Sequence, residues 1–191
     1  MNDDRRLDPI DGVQLLRTYL LHCRHVRAGM RRIVQALENR AEDHDTSKLM
    51  ADEFGAFSRI NSAARQFPYG SDEYRAGLAQ EKPTINLHYS RNSHHPEYGK
   101  LAGEAAEAAR GLPDDATYWA AREASRMTFL DIIEMVCDWR GAYLSYGSQG
   151  TWADNMVRQR ERYGTWFTEG QWWLIDEVSV ALTEGEAALL R

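Results

Sequence analysis

Five consecutive residues, His44 to Lys48, bring an imidazole, a carboxylate and an ammonium group together in the order His-Asp-Thr-Ser-Lys. Imidazole nitrogen and carboxylate oxygen are common ligands of divalent metal ions, and a lysine ammonium group often binds phosphate. The motif therefore predicts a site for a metal ion and a phosphate group. Because a His-Asp pair is also common in solvated turns, this prediction depends on the residues that accompany it.

Further imidazoles lie on both sides of this motif. The sequence contains six histidines, all between positions 22 and 95: His22, His25, His44, His88, His94 and His95. Pro96 disfavours a helical backbone at His95, so a helix is predicted to end near Asn92 and to leave His94 and His95 at a bend. Two adjacent imidazoles at a bend can point at a common centre. The alternative is a polar turn on the surface.

Three carboxylates follow at helical spacing in the second half of the chain. Asp131, Glu134 and Asp138 stand at i, i+3 and i+7, which places them along one stripe of a helix. Like charges in a stripe repel, and a metal ion is an economical way to offset them if the stripe is buried. If the stripe faces water, it is a solvated acidic surface.

The elements that must position these groups are helices, because apolar residues recur at a spacing of three and four along most of the chain. Helical segments are predicted at 11–39, 43–63, 72–79, 102–109, 118–142 and, as two helices, within 151–190. Irregular structure is predicted around the breakers of 64–83. The strand signal is poor, so the fold class is all-α.

Length and charge limit the classes of function. With 191 residues and 43% hydrophobic side chains, the chain is predicted to form a single-domain helical bundle, with a metal-site core at 11–146 and an aromatic-rich helical region at 147–191. A formal net charge of -6 disfavours a nucleic acid polymer as partner. Two cysteines make no disulfide framework, and neither a signal peptide nor a membrane span is predicted. These features predict a cytoplasmic protein that has no membrane partner.

The C-terminal region carries most of the tryptophan. Its large side chains include Trp152, Trp166, Phe167, Trp172, Trp173 and Leu174. Such a cluster is most often core or an oligomer interface. A homo-oligomer that forms through this region is therefore a prediction, and stacking on a base or a sugar is the less frequent alternative.

Taken in order, the motifs resemble the HD superfamily of metal-dependent phosphohydrolases and, more closely, an uncharacterised family of phage and bacterial proteins. The motifs are His22 with Val26, the His44 to Lys48 run with Glu53, the run from His88 through Arg91-Asn92-Ser93-His94-His95-Pro96-Glu97-Tyr98, and Glu134-Met135-Val136-Cys137-Asp138-Trp139. The resemblance implies an HD-like helical bundle around one or two divalent cations. It also favours His22 over His25 and Asp138 over Asp131 as ligands.

The donor set predicts the metal. Imidazole mixed with carboxylate suits first-row ions such as Mn, Fe, Co, Ni or Zn, in one or two copies, whereas oxygen ligands alone would suit Mg or Ca. As a hypothesis, one set of residues holds a first ion: His22, His44, Asp45 and Asp138. A second set is available to a second ion or to substrate phosphate: His88, His94 and His95. Asp45 would then bridge the ions.

Other polar residues are predicted to handle the substrate and the attacking water. Lys48 and Arg91 would neutralise phosphate charge, with Asn92 and His94 completing the substrate site. The catalytic group is predicted to comprise Asp45 and Lys48, together with the carboxylates that orient the water or take its proton: Glu53, Glu134 and, as an alternative, Glu97.

The function predicted from the sequence is hydrolysis of a nucleotide or a similar small phosphoester by metal-activated water. Two alternatives stay open: an HD-type di-iron oxygenase, and a non-catalytic phage protein that interacts with a host protein. The predicted location is the cytoplasm, which is the host cytoplasm if a phage encodes the chain.

Overall fold

The computed structural model describes residues 9–67, 71–98, 126–146 and 150–189, and within them it contains helices and no strand. The all-α prediction is therefore confirmed. The helices are α1 (Pro9–Asp43), a 3-10 helix (Thr46–Leu49), α2 (Phe54–Gln66), α3 (Asp72–Gln80), α4 (Lys82–Arg91), α5 (Phe129–Ser145), α6 (Trp152–Tyr163) and α7 (Glu169–Leu189). The predicted helix at 102–109 and the start of the one at 118–142 lie outside the described residues.

The chain divides into two compact units, Met1–His44 and Asp45–Arg191. The aromatic C-terminal helices, predicted as a separate region from 147 onward, pack on α5 within the second unit. Tertiary packing thus joins the C-terminal region to the helix that carries the carboxylate stripe.

The described part of the first unit is the single long helix α1. The predicted helix at 11–39 is confirmed and continues to Asp43. Large apolar side chains along α1, such as Leu16 and Met30, are exposed. The described part of this unit contains no second element against which to bury them. Within the described residues, no helix combines the length and apolar character that crossing a membrane requires.

The core of the second unit is formed by α5, α6 and α7. Val136 on α5 and Ile175 on α7 are fully buried and belong to one cluster with Trp152, Phe167 and Trp172. Each of α5 and α6 begins with a capping box, in which the Thr at the N-cap and the Asp three residues later bond each other's backbone N–H. Most of the aromatic cluster is therefore core. The predicted homo-oligomer through this region stays a prediction, for which Trp173, at 64% exposure, is the outward-facing aromatic side chain.

The segment 43–63 was predicted to be one helix, and this prediction is wrong. Asp45 has a left-handed backbone (φ 56°, ψ 14°), the 3-10 helix follows it, and α2 begins only at Phe54. The irregular structure predicted for 64–83 is also shorter than expected. The helices α3 and α4 are separated by Glu81 alone, because Pro83 lies in the first turn of α4, where its missing N–H costs no hydrogen bond.

Candidate metal centre

The first residue of the second unit, Asp45, is the centre of the predicted site. Its left-handed backbone is accessible to aspartate at a moderate cost, and residues held in this region occur often at functional sites. The Asp45 side chain does not cap the 3-10 helix that follows it. Instead its carboxylate points toward three imidazoles, and the side chain is 14% exposed.

Three histidines converge on one oxygen of this carboxylate. The Nε2 atoms of His88, His94 and His95 lie 3.1, 3.5 and 3.9 Å from Asp45 Oδ1. His88 lies near the end of α4, while His94 and His95 follow in the bend, as the sequence predicted. The His88 and His95 Nε2 atoms are themselves 3.0 Å apart. We call these four residues the Asp45 cluster.

Two imidazoles in the Asp45 cluster each contact a carboxylate through Nδ1, the nitrogen that does not face Asp45. His88 Nδ1 lies 2.9 Å from Glu53 Oε2, and His94 Nδ1 lies 3.0 Å from Glu134 Oε1. Because a carboxylate only accepts hydrogen bonds, each Nδ1 is the N–H donor, and in a neutral imidazole the Nε2 lone pair then faces Asp45. Lone pairs directed at a carboxylate oxygen repel unless a cation lies between them. Metal-ligating histidines commonly donate their other N–H to a carboxylate in this way.

Glu53 is buried and has several hydrogen-bond partners. It is fully buried, its Oε2 accepts a hydrogen bond from Ser47 Oγ at 2.9 Å, and its Oε1 accepts one from Arg91 Nη1 at 2.8 Å. The expectation that Glu53 orients the attacking water or takes its proton stays a prediction. The contacts of Glu53 fix the position of His88. Glu134 likewise contacts an imidazole, that of His94.

The charge states of the Asp45 cluster follow from its burial and its contacts. Burial alone would raise the pKa of Asp45, but the contacts with His88 and His94 and the ion pair with Lys48 together hold that pKa well below its usual range. Burial, followed by the neighbouring imidazoles of His94 and His88, lowers the pKa of His95 well below its usual value. A carboxylate beside a neutral imidazole is the form in which both residues bind metal ions.

Two sets of potential ligands lie entirely within the second unit. One comprises Asp45, His88 and His95, the other His94, His95 and Asp138, and in each set one ligand atom per residue lies within 4.8 Å of the others. The mixed nitrogen and oxygen donors fit a first-row transition ion better than Mg²⁺ or Ca²⁺. The residues present therefore fit the predicted type of metal.

Asp138 and Asp131 differ in their surroundings, although both belong to the predicted acidic stripe. Asp138 takes part in a potential ligand set, as described above. Asp131 is buried in the capping box of α5, where it accepts hydrogen bonds from the backbone N–H and hydroxyl of Thr128 and from Ser93 Oγ. These contacts explain why Asp131 does not belong to the potential ligand sets of the described residues.

Two residues predicted to bind substrate, Lys48 and Arg91, differ in their partners. Lys48 pairs with Asp45, and its ammonium group lies 5.0 Å from the centre of the Phe57 ring. Arg91 donates to Asp52 and Glu53, so two carboxylates already offset its charge. Lys48 therefore contacts the Asp45 cluster directly, whereas Arg91 contacts Glu53, the partner of His88.

Two further predicted residues serve the structure of the site. Asn92 donates to Ser47 Oγ at 3.0 Å and to the His88 carbonyl at 2.8 Å. The Glu97 carboxylate accepts hydrogen bonds from the Tyr163 hydroxyl at 3.0 Å and from Arg162 at 3.2 Å. These contacts give both side chains a role in holding neighbouring elements.

Two predicted ligands belong to the first unit. His22 is exposed on α1, as is His25, and His44 is half-buried and is the last residue of that unit. A peptide bond joins His44 to Asp45. The participation of His22 and His44 in metal binding stays a prediction.

A cavity of about 650 Å³ adjoins the Asp45 cluster. His88 and His95 form part of its wall, and aromatic and aliphatic side chains form much of the rest. Burial raises the pKa of Tyr89, another wall residue, to about 12, so its hydroxyl group is protonated at neutral pH. Sequence motifs missed most of this wall, because its residues come from several helices at no fixed spacing.

Comparison with curated proteins and with solved structures gave no match. The resemblance to the HD superfamily therefore has no support from these comparisons and stays a prediction. A family model described as a family of unknown function, DUF5662, matches residues 13–178. This range runs from α1 into α7 and includes the whole Asp45 cluster. The chain belongs to the DUF5662 family of unknown function.

Proposed function

We propose that this protein is an HD-type metal-dependent phosphohydrolase that acts on a nucleotide or another small phosphoester. The observation that carries this proposal is the convergence of three imidazole Nε2 atoms on Asp45 Oδ1, 3.1 to 3.9 Å away. This arrangement adjoins a cavity that a small molecule can fill. The acidic net charge of the chain favours a small substrate over a polymer.

The ligands in this proposal are Asp45 and the imidazoles around it, with Asp138 beside His94 and His95. His44 and His22 complete the set that the resemblance implies. A transition ion at such a site lowers the pKa of a water ligand and polarises a phosphoryl oxygen. Manganese, iron, cobalt, nickel and zinc all suit the donors, and one or two ions are compatible with the two overlapping ligand sets.

The side chains around the ligands have separate tasks. Glu53 and Glu134 orient His88 and His94 through their Nδ1 atoms. Lys48 pairs with the Asp45 carboxylate and forms part of the cavity wall, where its charge attracts the substrate phosphate and offsets the negative charge of that phosphate. The exclusion of water by the apolar wall strengthens these electrostatic interactions.

The test is a metal analysis of the purified protein, followed by a screen of nucleoside mono-, di- and triphosphates with Mn²⁺ or Co²⁺. In the Asp45→Ala variant we expect bound metal and phosphate release to fall by a factor of about 100 or more, since one ligand and the charge that favours the cation are both lost. The control is Asp72→Ala, which removes an exposed carboxylate on α3. A wild-type protein that binds no transition metal and releases no phosphate would overturn the proposal.

An oxygenase with two iron ions is the second candidate. It is favoured by the overlap of the two ligand sets at His95, which offers adjoining positions for two ions. Iron-loaded protein with a mixed-valence electron paramagnetic resonance signal and no phosphatase activity would support this candidate over the first.

A further inference from the structure

The cavity beside the Asp45 cluster has an unusual charge for this protein. The chain carries a formal net charge of -6, yet among the described residues that line the cavity none is an aspartate or a glutamate. Four cationic side chains of the described ranges line it: Lys48, Arg75, Lys82 and Arg162. A cavity wall with cations and without carboxylates attracts anions.

The four cations differ in their partners. Lys48 pairs with Asp45, and Arg162 donates to Glu97. No described residue forms an ion pair with Arg75 or Lys82. Glu81, which precedes Lys82, pairs with Arg59 instead. Arg75 and Lys82 therefore retain charge and hydrogen-bond donors that a ligand can use.

Lys82 and the Asp45 cluster are separated along α4. Lys82 is the first residue of this helix, and His88 lies six residues later. At 1.5 Å per residue, the two positions are about 9 Å apart along the helix axis. Arg75, on α3, lines the same cavity. The cationic donors and the imidazoles therefore lie farther apart in the cavity than the width of one phosphate group.

Between these positions the wall is largely apolar. Ile85 lies midway between Lys82 and His88 on α4, and Phe57 packs edge-on against His88 with ring centres 4.9 Å apart. Leu78 and Ile60 add further apolar surface. An aromatic or aliphatic group that spans the cavity would bury its surface here, which is favourable.

We propose that Arg75 and Lys82 form a subsite for a second anionic group of the substrate. The substrate class is an organic phosphoester that carries a carboxylate or a further phosphate on the far side of an apolar spacer. This inference rests on the proposed function for the identity of the first group, whereas the anion subsite itself does not require catalysis.

The experiment compares ligands that differ only in the second anion. Benzylphosphonate and (biphenyl-4-ylmethyl)phosphonate, in which a P–CH2 bond replaces the scissile ester bond, are titrated calorimetrically into the purified protein with and without a para carboxylate at the far end of the ring system. The two spacer lengths bracket the separation along α4. We expect the carboxylate on the better-fitting spacer to increase affinity about tenfold or more.

The double variant Arg75→Ala/Lys82→Ala should lose this gain and retain the affinity for the uncarboxylated phosphonates. The matched control, Arg31→Ala/Arg65→Ala, removes two exposed arginines that do not line the cavity and should keep the gain. Equal affinities for both kinds of ligand in the wild type, or an undiminished gain in the Arg75/Lys82 variant, would overturn the subsite.

Turnover of the corresponding phosphate esters separates this inference from the proposed function. If the carboxylated phosphonate binds through Arg75 and Lys82 but no ester is hydrolysed with Mn²⁺ or Co²⁺, the subsite stands and the phosphohydrolase fails. If the esters are hydrolysed, we expect the double variant to raise KM for the carboxylated ester alone and to leave kcat for the simple ester unchanged.

Discussion

The Asp45 cluster and the aromatic core lie in the same unit and are buried to a similar degree, but they are built from opposite chemistry. Around the cluster, Glu53 is 0% and His88 1% exposed, while in the core Ile175 is 0% and Trp172 6% exposed. Burial of the aromatic side chains is itself favourable. Burial of the carboxylate and the imidazoles costs free energy, which the hydrogen bonds of the imidazoles to Glu53 and Glu134 only offset. The aromatic core therefore stabilises the fold. The Asp45 cluster does not gain stability from burial in this way, which favours a functional role for it.

The helix α5 takes part in both regions. Val136 and Met135 face the aromatic core, whereas Glu134 and Asp138 reach the imidazoles. The apolar side of one helix thus fixes the position of carboxylates on its other side. We expect substitutions on the two sides to have separable effects, on stability in one case and on metal binding in the other.

The largest effect should come from the aromatic core. Trp172 packs against Phe167 and donates to the Gly164 carbonyl, so Trp172→Ala should reduce the free energy of unfolding by about 3–5 kcal/mol. The matched control is the adjacent Trp173, which is 64% exposed and should change stability by less than about 0.5 kcal/mol when replaced by Ala. Urea unfolding followed by circular dichroism measures both. Equal losses would show that the aromatic core is not the stabilising region.

A smaller effect, on metal binding, should follow from Glu53→Gln. The amide keeps the size of the side chain but loses the charge that orients His88, so affinity for Mn²⁺ or Co²⁺ should fall about 10- to 100-fold. Asp52→Asn is the control, because Asp52 also pairs with Arg91 but has no contact with His88 among those described. Affinity is measured by titration, with circular dichroism to verify the fold. An unchanged affinity in Glu53→Gln, or the same loss in both variants, would exclude a positioning role.

The smallest effects distinguish the two capping boxes. Thr128→Ala and Thr151→Ala should each cost about 1 kcal/mol, because each removes the side-chain cap of a helix. Only the first should also weaken metal binding by a few-fold, since its partner Asp131 holds Ser93 beside His94. Unfolding midpoints and Mn²⁺ titration measure the two effects. Loss of metal affinity in Thr151→Ala would mean that the core and the Asp45 cluster are not separable.

Much of the site could be predicted because it uses residue types that are scarce and chemically distinctive. Pro96 after His95 predicted the bend, and the helical spacing of Glu134 and Asp138 predicted that both lie on one stripe of a helix. The roles of Glu53 and Glu134 could not be predicted, because a sequence does not show which imidazole nitrogen a carboxylate contacts. The left-handed turn at Asp45 was missed as well, since the helical pattern of 43–63 masked it.

The cavity was beyond prediction for a different reason. Arg75 and Lys82 are ordinary polar positions on their own helices, and only the packing of α2, α3 and α4 brings them to the same wall as His88. A cavity is defined by the surfaces that several elements leave uncovered, and no spacing within one element encodes it.

By itself, the sequence determined that the chain is all-α. It also predicted that His44 to Lys48, the histidines at 88 to 95 and the acids of α5 form a metal site. These follow from helical periodicity and ligand chemistry, which are local properties. Only the tertiary structure decided that three imidazole nitrogens lie close to the Asp45 carboxylate. It also decided that Asp131 caps α5 while Asp138 belongs to a potential ligand set, and that the aromatic C-terminal region is largely core. These outcomes depend on distances between elements far apart in the chain, which burial and packing fix together.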